Sequence, residues 1–547
     1  MKEITGIRPK LASQILEFFK RHKSQAELDD ALPILEALHK KLLEGHSSLN
    51  LTDFGNEIEI LKENDLVGGP EELRPLVLTS SGDLYFKRYF DYEIGIAKKI
   101  REWSSTSGQD LIIDYSHLDN LFSNDPDQLK AAKLSIKNQF SVITGGPGTG
   151  KTFLVVSILH AILQKNPEIK ILLAAPTGKA AQRMTESILL NLERFNLSED
   201  EKQRFPQEAS TIHRLLQPLT PSIHFRKNQR NPLDADFLII DEASMIDLPL
   251  MAKLFRSIPN GCGLILVGDV DQLAPVEAGA PFVSIVRHFL QPDHPKLVAK
   301  LSTNRRFRAT SSIHRLCKAI SSGDTAETEL LMGEEKHKDL EFIETWDDSK
   351  INQAIIDGYA SLIKAKTPAE AHQAFLKFQI LCPTHQGNRG VVAMNERCQK
   401  ILLNDPDLYF SGLPIIIKQN DYGSELFNGD IGIFLPTQEN SDELSVWFAD
   451  NKGDYRKFSP ARLPPFDLAF AMTIHRSQGS EYQDVMITLP LITSEILSRH
   501  LLYVACSRAK RMVWIYGSKE IFLETVRKSA KYSLGFENRL KEINEIN

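Results

Sequence analysis

Eight consecutive residues, Gly145-Gly146-Pro147-Gly148-Thr149-Gly150-Lys151-Thr152, constrain this chain more than any other feature. They follow the apolar run FSVIT and precede TFLVVSILHAILQKN, in which Val155, Ile158, Leu159 and Ile162 form one helical stripe. A strand, a glycine-rich turn and a helix in that order make a phosphate loop. Small residues let backbone N–H groups surround the β- and γ-phosphates. Lys151 brings a positive charge to them, and the Thr152 hydroxyl can ligate Mg2+. A mere tight turn would not need Lys-Thr in register, so the sequence predicts ATP and Mg2+ as ligands.

Magnesium needs a second protein oxygen, and Asp241, which ends the apolar run FLII, stands where a phosphate-loop enzyme places it. Glu242 then lies beside the γ-phosphate, where a base or water-positioner is wanted. On its own an Asp-Glu pair would read as an exposed turn. Some ninety residues after the loop, and followed by Ala243-Ser244, it carries more weight.

The texture around these motifs is α/β. FSVIT, ILLAA, DFLIID and LILVGD are short apolar runs ending in polar residues, and FQILCP, LAFAMT, VMITLP and MVWIYG repeat the pattern later. Such runs, separated by helical stretches, predict buried parallel strands in two sheets, with ligands at their carboxyl ends. Between the later strands, residues 400 to 465 predict a small inserted β-barrel, from LPIIIKQND, LFNGDIGIFLP, LSVWFAD and YRKFSPARL. Residues 1 to about 125 show helical spacing, as at Leu32, Leu35, Leu38 and Leu42, and one strand-like aromatic run, LYFKRYFDY.

Composition excludes little. A length of 547 residues calls for several domains, and a net charge of -6 does not bar nucleic acid, which needs only a local basic face. The five cysteines, Cys262, Cys317, Cys382, Cys398 and Cys506, form no CxxC pair, so core thiols are expected and no zinc or iron–sulfur site. No signal-like or membrane-length apolar stretch occurs, which predicts a cytoplasmic chain without a membrane partner.

Seven motifs carry a resemblance. APTGKAAQRM (175 to 184), STIHRLL (210 to 216), DEASMIDLP (241 to 249), GDVDQLAPVEAG (268 to 279), NRRF (304 to 307), AMTIHRSQGSEY (471 to 482) and LLYVACSRAK (501 to 510) stand in this order. Together they resemble the superfamily 1 helicases. PTGKAA and LFNGDIGI are similar to the RecD-like branch in particular, over nearly the whole chain, with HKKLLEGHSSLNL and LVLTSSGDLYFKRYFDYEIGIAKKI extending the likeness towards the N-terminus.

The resemblance implies two RecA-like parallel-sheet domains, at 116 to 300 and 301 to 547. A helical N-terminal domain, residues 1 to 115, would bind partners, and an SH3-like barrel would sit in the second motor domain. It implies that Gln128 reads adenine, Gln272 senses the γ-phosphate and Glu481 lies near the ribose. Arg306 and Arg508 become an arginine pair that reaches the γ-phosphate from the second domain, with Arg305 the weaker candidate beside Arg306. DNA contacts are implied at Pro176, Thr177, Gly178 and Lys179, at Thr211 and His213, and at Thr473, His475 and Ser477. From the residues alone, helix capping explains Thr211 and Thr473 equally well, and His475 reads as a core histidine.

The implied activity is ATP-driven 5′ to 3′ translocation on single-stranded DNA, loading at duplex ends within a heterotrimer with RecB-like and RecC-like subunits. No acidic cluster suggests a nuclease site outside the ATPase motifs. An ATP-clamped regulatory subunit and an RNA helicase of the same superfamily remain the alternatives. The aromatics Leu84 to Tyr92 read equally as interface anchors or as core.

Overall fold

The computed structural model describes residues 25–51, 66–105, 113–195, 197–219, 222–275, 278–305, 311–333, 337–403, 409–421, 423–438, 443–450, 454–528 and 535–545, with the side chains of 33–542 among them. Two parallel sheets dominate. The first runs Val298–Leu301, Phe140–Gly145, Gly263–Gly268, Phe237–Ile240, Ile171–Ala175, Ser210–Thr211, every neighbouring pair parallel. Phe140–Gly145 and Gly263–Gly268 are buried at every position, which is why they read as continuous apolar runs.

The second sheet runs Leu340–Ile343, Ala509–Tyr516, Tyr482–Thr488, Phe378–Cys382, Ala471–Thr473, again all parallel. Between its strands Phe378–Cys382 and Ala471–Thr473 the chain leaves to form a five-stranded antiparallel sheet, in the order Tyr455–Phe458, Leu444–Ala449, Ile431–Pro436, Pro414–Ile417, Phe466–Leu468. The run LAFAMT therefore spans two sheets, since Leu468 ends the antiparallel one and Ala471 begins the last strand of the parallel one. All five cysteines are buried and unbonded to one another. Among the described residues no helix is long and apolar enough to cross a membrane, and no group of three or more His, Cys, Asp or Glu is gathered as for a metal.

The N-terminal region corrects one expectation. Only Asp83–Phe86 of the aromatic run is a strand, in a four-stranded sheet with Leu49–Asn50, Leu76–Leu78 and Val67–Gly68. From Lys87 to Ser105 the chain is helical, so Tyr89, Phe90 and Tyr92 sit on a helix whose buried residues continue through Ile96, Ala97, Ile100 and Trp103. That spacing is helical, and it becomes visible once the window reaches Trp103. Leu84, Tyr85, Phe86, Phe90 and Tyr92 are all buried within the chain, so they are core; Tyr89 alone is half-exposed.

This helix also packs against the first parallel sheet. Trp103 is 2% exposed, stacks on Phe140 at 5.6 Å between ring centroids and meets Phe255 at 5.1 Å. The last helix, Gly535–Glu545, returns to the same place, burying Phe536 and Leu540 in that core. Glu93, fully buried on the helix, accepts a hydrogen bond from Ser47 at 2.6 Å, and burial raises its carboxyl to about 7. Trp103→Ala is expected to destabilise the chain by about 3–5 kcal/mol, as for a large aromatic removed from a packed core. Thermal unfolding measures it; a loss under about 1 kcal/mol would mean that the helix is not integral to the first sheet's core.

Candidate nucleotide site and interdomain cleft

The phosphate loop leaves the carboxyl end of Phe140–Gly145, between the strands ending at Gly268 and Leu301. Its glycines are required by space. A Cβ on Gly145 would lie 2.8 Å from Thr149 Oγ1 and 3.0 Å from Leu301 Cβ. Gly150, the residue before the helix Lys151–Lys165, has φ +83°, in the left-handed region that favours glycine. Thr149 closes the loop by donating to the Gly146 carbonyl at 2.8 Å, and Lys151 Nζ donates to the carbonyls of Gly145 and Gly146 at 2.7 and 3.0 Å. Thr152 follows on the helix's first turn, half-buried.

Two carboxylates close the floor from neighbouring strands. Asp241 follows Phe237–Ile240, and its Oδ1 accepts from the Glu242 backbone N–H at 2.8 Å. Burial, then the adjacent Glu242, holds the Asp241 carboxyl above its usual range, while Lys151 pulls it down. Glu242 has φ +51°, a left-handed conformation that costs a side-chain-bearing residue energy. Asp269 follows Gly263–Gly268, is 1% exposed and is pushed by burial up to about 6 against the pull of Lys151.

Gln128 and Gln272 are both buried here. Gln128 belongs to the helix Pro126–Lys137, capped by Asp125, and its Nε2 donates to the Thr149 carbonyl at 2.9 Å, leaving Oε1 buried with no partner in the structure. It therefore braces the loop, and reading adenine would require that amide to turn. Gln272 is 4% exposed, with its Oε1 also buried and unpartnered.

Arg306 lies outside the described residues. Arg305, the weaker candidate, is the one seen at the loop: its backbone N–H donates to the Gly148 carbonyl at 2.7 Å and its guanidinium pairs with Asp125 at 2.7 Å. Asn304 donates to the Pro147 carbonyl at 2.9 Å, so Asn304 and Arg305 are stitched along the loop. Arg508 is 3% exposed and donates to the Val504 and Ser480 carbonyls, each at 3.2 Å. Glu481 pairs with Lys510 at 3.1 Å and with Arg183 at 3.2 Å, so its carboxylate serves an ion-pair network across the cleft.

Arg183, on the helix Gly178–Leu192, also donates to the Gly479 carbonyl and lowers the Asp241 carboxyl. Nothing in the motif pattern singled it out, because its partners come from the second sheet. Tyr503, on the helix Arg499–Ser507 of that sheet, was missed for the same reason; its hydroxyl donates to Asp269 Oδ2 at 2.9 Å.

Of the residues expected to meet DNA, Pro176, Thr177, Gly178 and Lys179 line the turn from Ile171–Ala175 into the helix that carries Arg183. Thr177 caps that helix, accepting from Ala180 N–H. Gly178 is exposed and open in front of its Cα. Burial, then Arg183, draws the Lys179 ammonium down to about 8, with Asp430 of the antiparallel sheet opposing. Thr211 is a cap as well, accepting from Arg214 N–H at 3.1 Å, and Thr473, at the end of its strand, accepts from Arg476 N–H at 3.3 Å. His213 is exposed, 5.8 Å from the Phe225 ring, and His475 is half-buried. Ser477 is the clear correction: it is fully buried and its hydroxyl donates to the Ile474 carbonyl at 2.7 Å, so that side chain has nothing left to offer a strand.

A family profile described as an AAA domain matches residues 128–278, and one described as a UvrD-like helicase C-terminal domain matches residues 468–516. The RecBCD enzyme subunit RecD of Mycolicibacterium smegmatis is 32% identical over 491 residues, covering 87% of this chain and 86% of that protein. The subunit of the same name from Haemophilus influenzae is 34% identical, covering 76% and 72%. The ATP-dependent RecD2 DNA helicase of Deinococcus radiodurans is 29% identical, and the match covers 47% of its length.

Two parallel sheets that meet over one phosphate loop are the build of a nucleotide-driven motor, and with these profiles they place the chain among the superfamily 1 helicases. Within that class it belongs to the RecD family, to which the matches extend over most of both chains.

Proposed function

We propose that the chain is the ATP-driven motor subunit of a RecBCD-type complex, moving 5′ to 3′ on single-stranded DNA beside RecB-like and RecC-like subunits and leaving cleavage to them. The observation that carries this reading is a helix of the second sheet touching the first sheet's nucleotide site, through Tyr503, whose hydroxyl lies against Gly146 of the phosphate loop and bonds Asp269 beside it. A nucleotide bound there would bear on both sheets, and a change in their separation is what advances a strand. The antiparallel insertion, read as an SH3-like barrel, touches the helix that follows the proposed DNA-facing turn, Gln182 Nε2 donating to the Asp450 carbonyl at 3.2 Å.

The residues fit Mg-ATP. Thr152 and Asp241 supply hard oxygens at the loop, and the Asp241 carboxyl, raised by burial and then by Glu242, would gain from a cation. Bound there, magnesium would neutralise charge on the β- and γ-phosphates. Lys151 then orients the γ-phosphate, Glu242 positions and deprotonates the attacking water, and Gln272 holds the γ-phosphate or that water through its buried amide. Arg508 and Arg306 complete the cationic side when the sheets close. Backbone groups and Lys179 around residues 176–179, with Thr211, His213, Thr473 and His475, are directed at phosphates, which positions a strand without reading its bases.

Polarity is tested with duplexes bearing one single-stranded tail, the chain being assayed with its partner subunits and with the RecB-like motor inactivated. A 5′ tail is expected to support unwinding and a 3′ tail to support none above the tail-less duplex. Affinity for the tail is expected to fall steeply with salt and to vary little with sequence. Unwinding from 3′ tails alone overturns the assigned direction.

A further inference from the structure

We infer that Tyr503 is a positioning residue that ties the second sheet to the γ-phosphate sensor of the first, acting through Asp269 on the turn that carries Gln272. This rests on the nucleotide site proposed above and adds the connection by which one sheet learns the state of the other.

The connection is short and continuous. The Tyr503 hydroxyl, on the helix Arg499–Ser507, donates to Asp269 Oδ2 at 2.9 Å. The other oxygen, Oδ1, accepts from the Asp271 backbone N–H at 3.0 Å, and the Asp269 carbonyl accepts from Gln272 N–H at 3.2 Å. Val270 N–H donates to Thr144 Oγ1 at 3.2 Å, which fastens the same turn to the phosphate-loop strand. One carboxylate thus shapes the sensor turn with one oxygen and holds the opposite sheet with the other. Gln272, at the end of this turn, keeps a buried side-chain oxygen without a partner, an acceptor oriented by the turn and spent on nothing within the protein.

The contact is also pressed against the loop itself. A Cβ on Gly146 would lie 3.0 Å from the Tyr503 hydroxyl, so even an alanine there would make that hydroxyl give way by a few tenths of an ångström. Tyr503 is 5% exposed and Asp269 1%, which keeps water from replacing either partner cheaply. The helix that presents Tyr503 ends at Ser507, immediately before Arg508. Any movement that carries Arg508 towards or away from the phosphate loop therefore stretches or shortens the Tyr503–Asp269 bond, and the strain falls on the Gln272 turn.

The test is a double-mutant cycle on the full chain, reading single-stranded-DNA-stimulated ATP turnover. Tyr503→Phe removes one hydroxyl and keeps the ring in its packing. It is expected to lower kcat by about tenfold, the size of a lost hydrogen bond to a charged group. The KM for ATP is expected to stay within about twofold, because ground-state binding does not use this contact. Asp269→Ala is expected to cost at least as much, and adding Tyr503→Phe to it is expected to cost nothing more, since the two act as one unit. Unchanged kcat in Tyr503→Phe, equal changes in kcat and KM, or losses that multiply in the double variant would each overturn the inference. Lys151→Gln in the same assay keeps the two readings apart: if it abolishes turnover while Tyr503→Phe is silent, the nucleotide site stands and this connection falls.

Discussion

Replacing Lys151 by Gln is expected to abolish ATP turnover, and unwinding with it, while leaving the fold in place. Its ammonium is a side-chain cation held inside the loop, and removing such a group from a phosphoryl-transfer site costs a factor on the order of 10² to 10³ or more. Structurally the residue contributes two hydrogen bonds to loop carbonyls, of Gly145 and Gly146. Losing them costs about 1–3 kcal/mol, against a loop already fixed by Thr149, Gln128, Asn304 and Arg305. Lys151 also holds down the Asp241 and Asp269 carboxyls against burial. Without it both rise further, so any residual turnover should need a higher pH than the parent's. ATPase rates across pH, with a thermal melt of each variant, check both parts. Substantial turnover at unchanged pH dependence would remove Lys151 from its role, and a collapsed melt would remove the claim that the fold is spared.

The parts of this site that could be read in the sequence are those fixed by local geometry. The phosphate loop needs glycine where a Cβ would strike Thr149 or where φ is positive, so its spelling is narrow at Gly145 and Gly150. The strands Phe237–Ile240 and Gly263–Gly268 are buried throughout and spell themselves as unbroken apolar runs, which also locates Asp241 and Asp269 at their carboxyl ends. Contacts between distant segments leave no such trace. Arg305 and Arg306 differ by one position, and it takes the Asp125 partner, from a segment far back in the chain, together with the Gly148 carbonyl to hold Arg305 at the loop. Ser477 has the residue type of a phosphate contact, yet the tight turn at His475–Ser477 folds its hydroxyl onto Ile474. In the aromatic run, Phe90 to Tyr92 have strand propensity, but the helix wins because its buried face, completed by Ile96, Ile100 and Trp103, covers two cores at once.

Glu242 separates chemistry from stability in a way that few residues here can. Its φ of +51° places a side-chain-bearing residue in the left-handed region, at a cost of about 1–3 kcal/mol. Such strain persists only where the surroundings enforce it, and here the Ala174 and Asp241 contacts fix the preceding peptide while the turn Ala243–Met245 fixes the next. Glu242→Gln keeps the shape and the strain and removes the carboxylate, so Mg-ATP should still bind while turnover falls by about 10² to 10⁴, as for a lost general base. Glu242→Gly relieves the backbone as well, so it should melt at or above the parent's temperature, by the equivalent of about 1 kcal/mol, and be as inactive as the Gln variant. Equilibrium binding of a fluorescent ATP analogue, single-turnover hydrolysis and thermal unfolding on the three proteins give the answer. If Glu242→Gln loses binding in proportion to turnover, the carboxylate is a ligand and not the base. If Glu242→Gly is less stable than the parent, the positive φ is not strain held for the sake of the reaction, and the turn owes its shape to the Glu side chain instead.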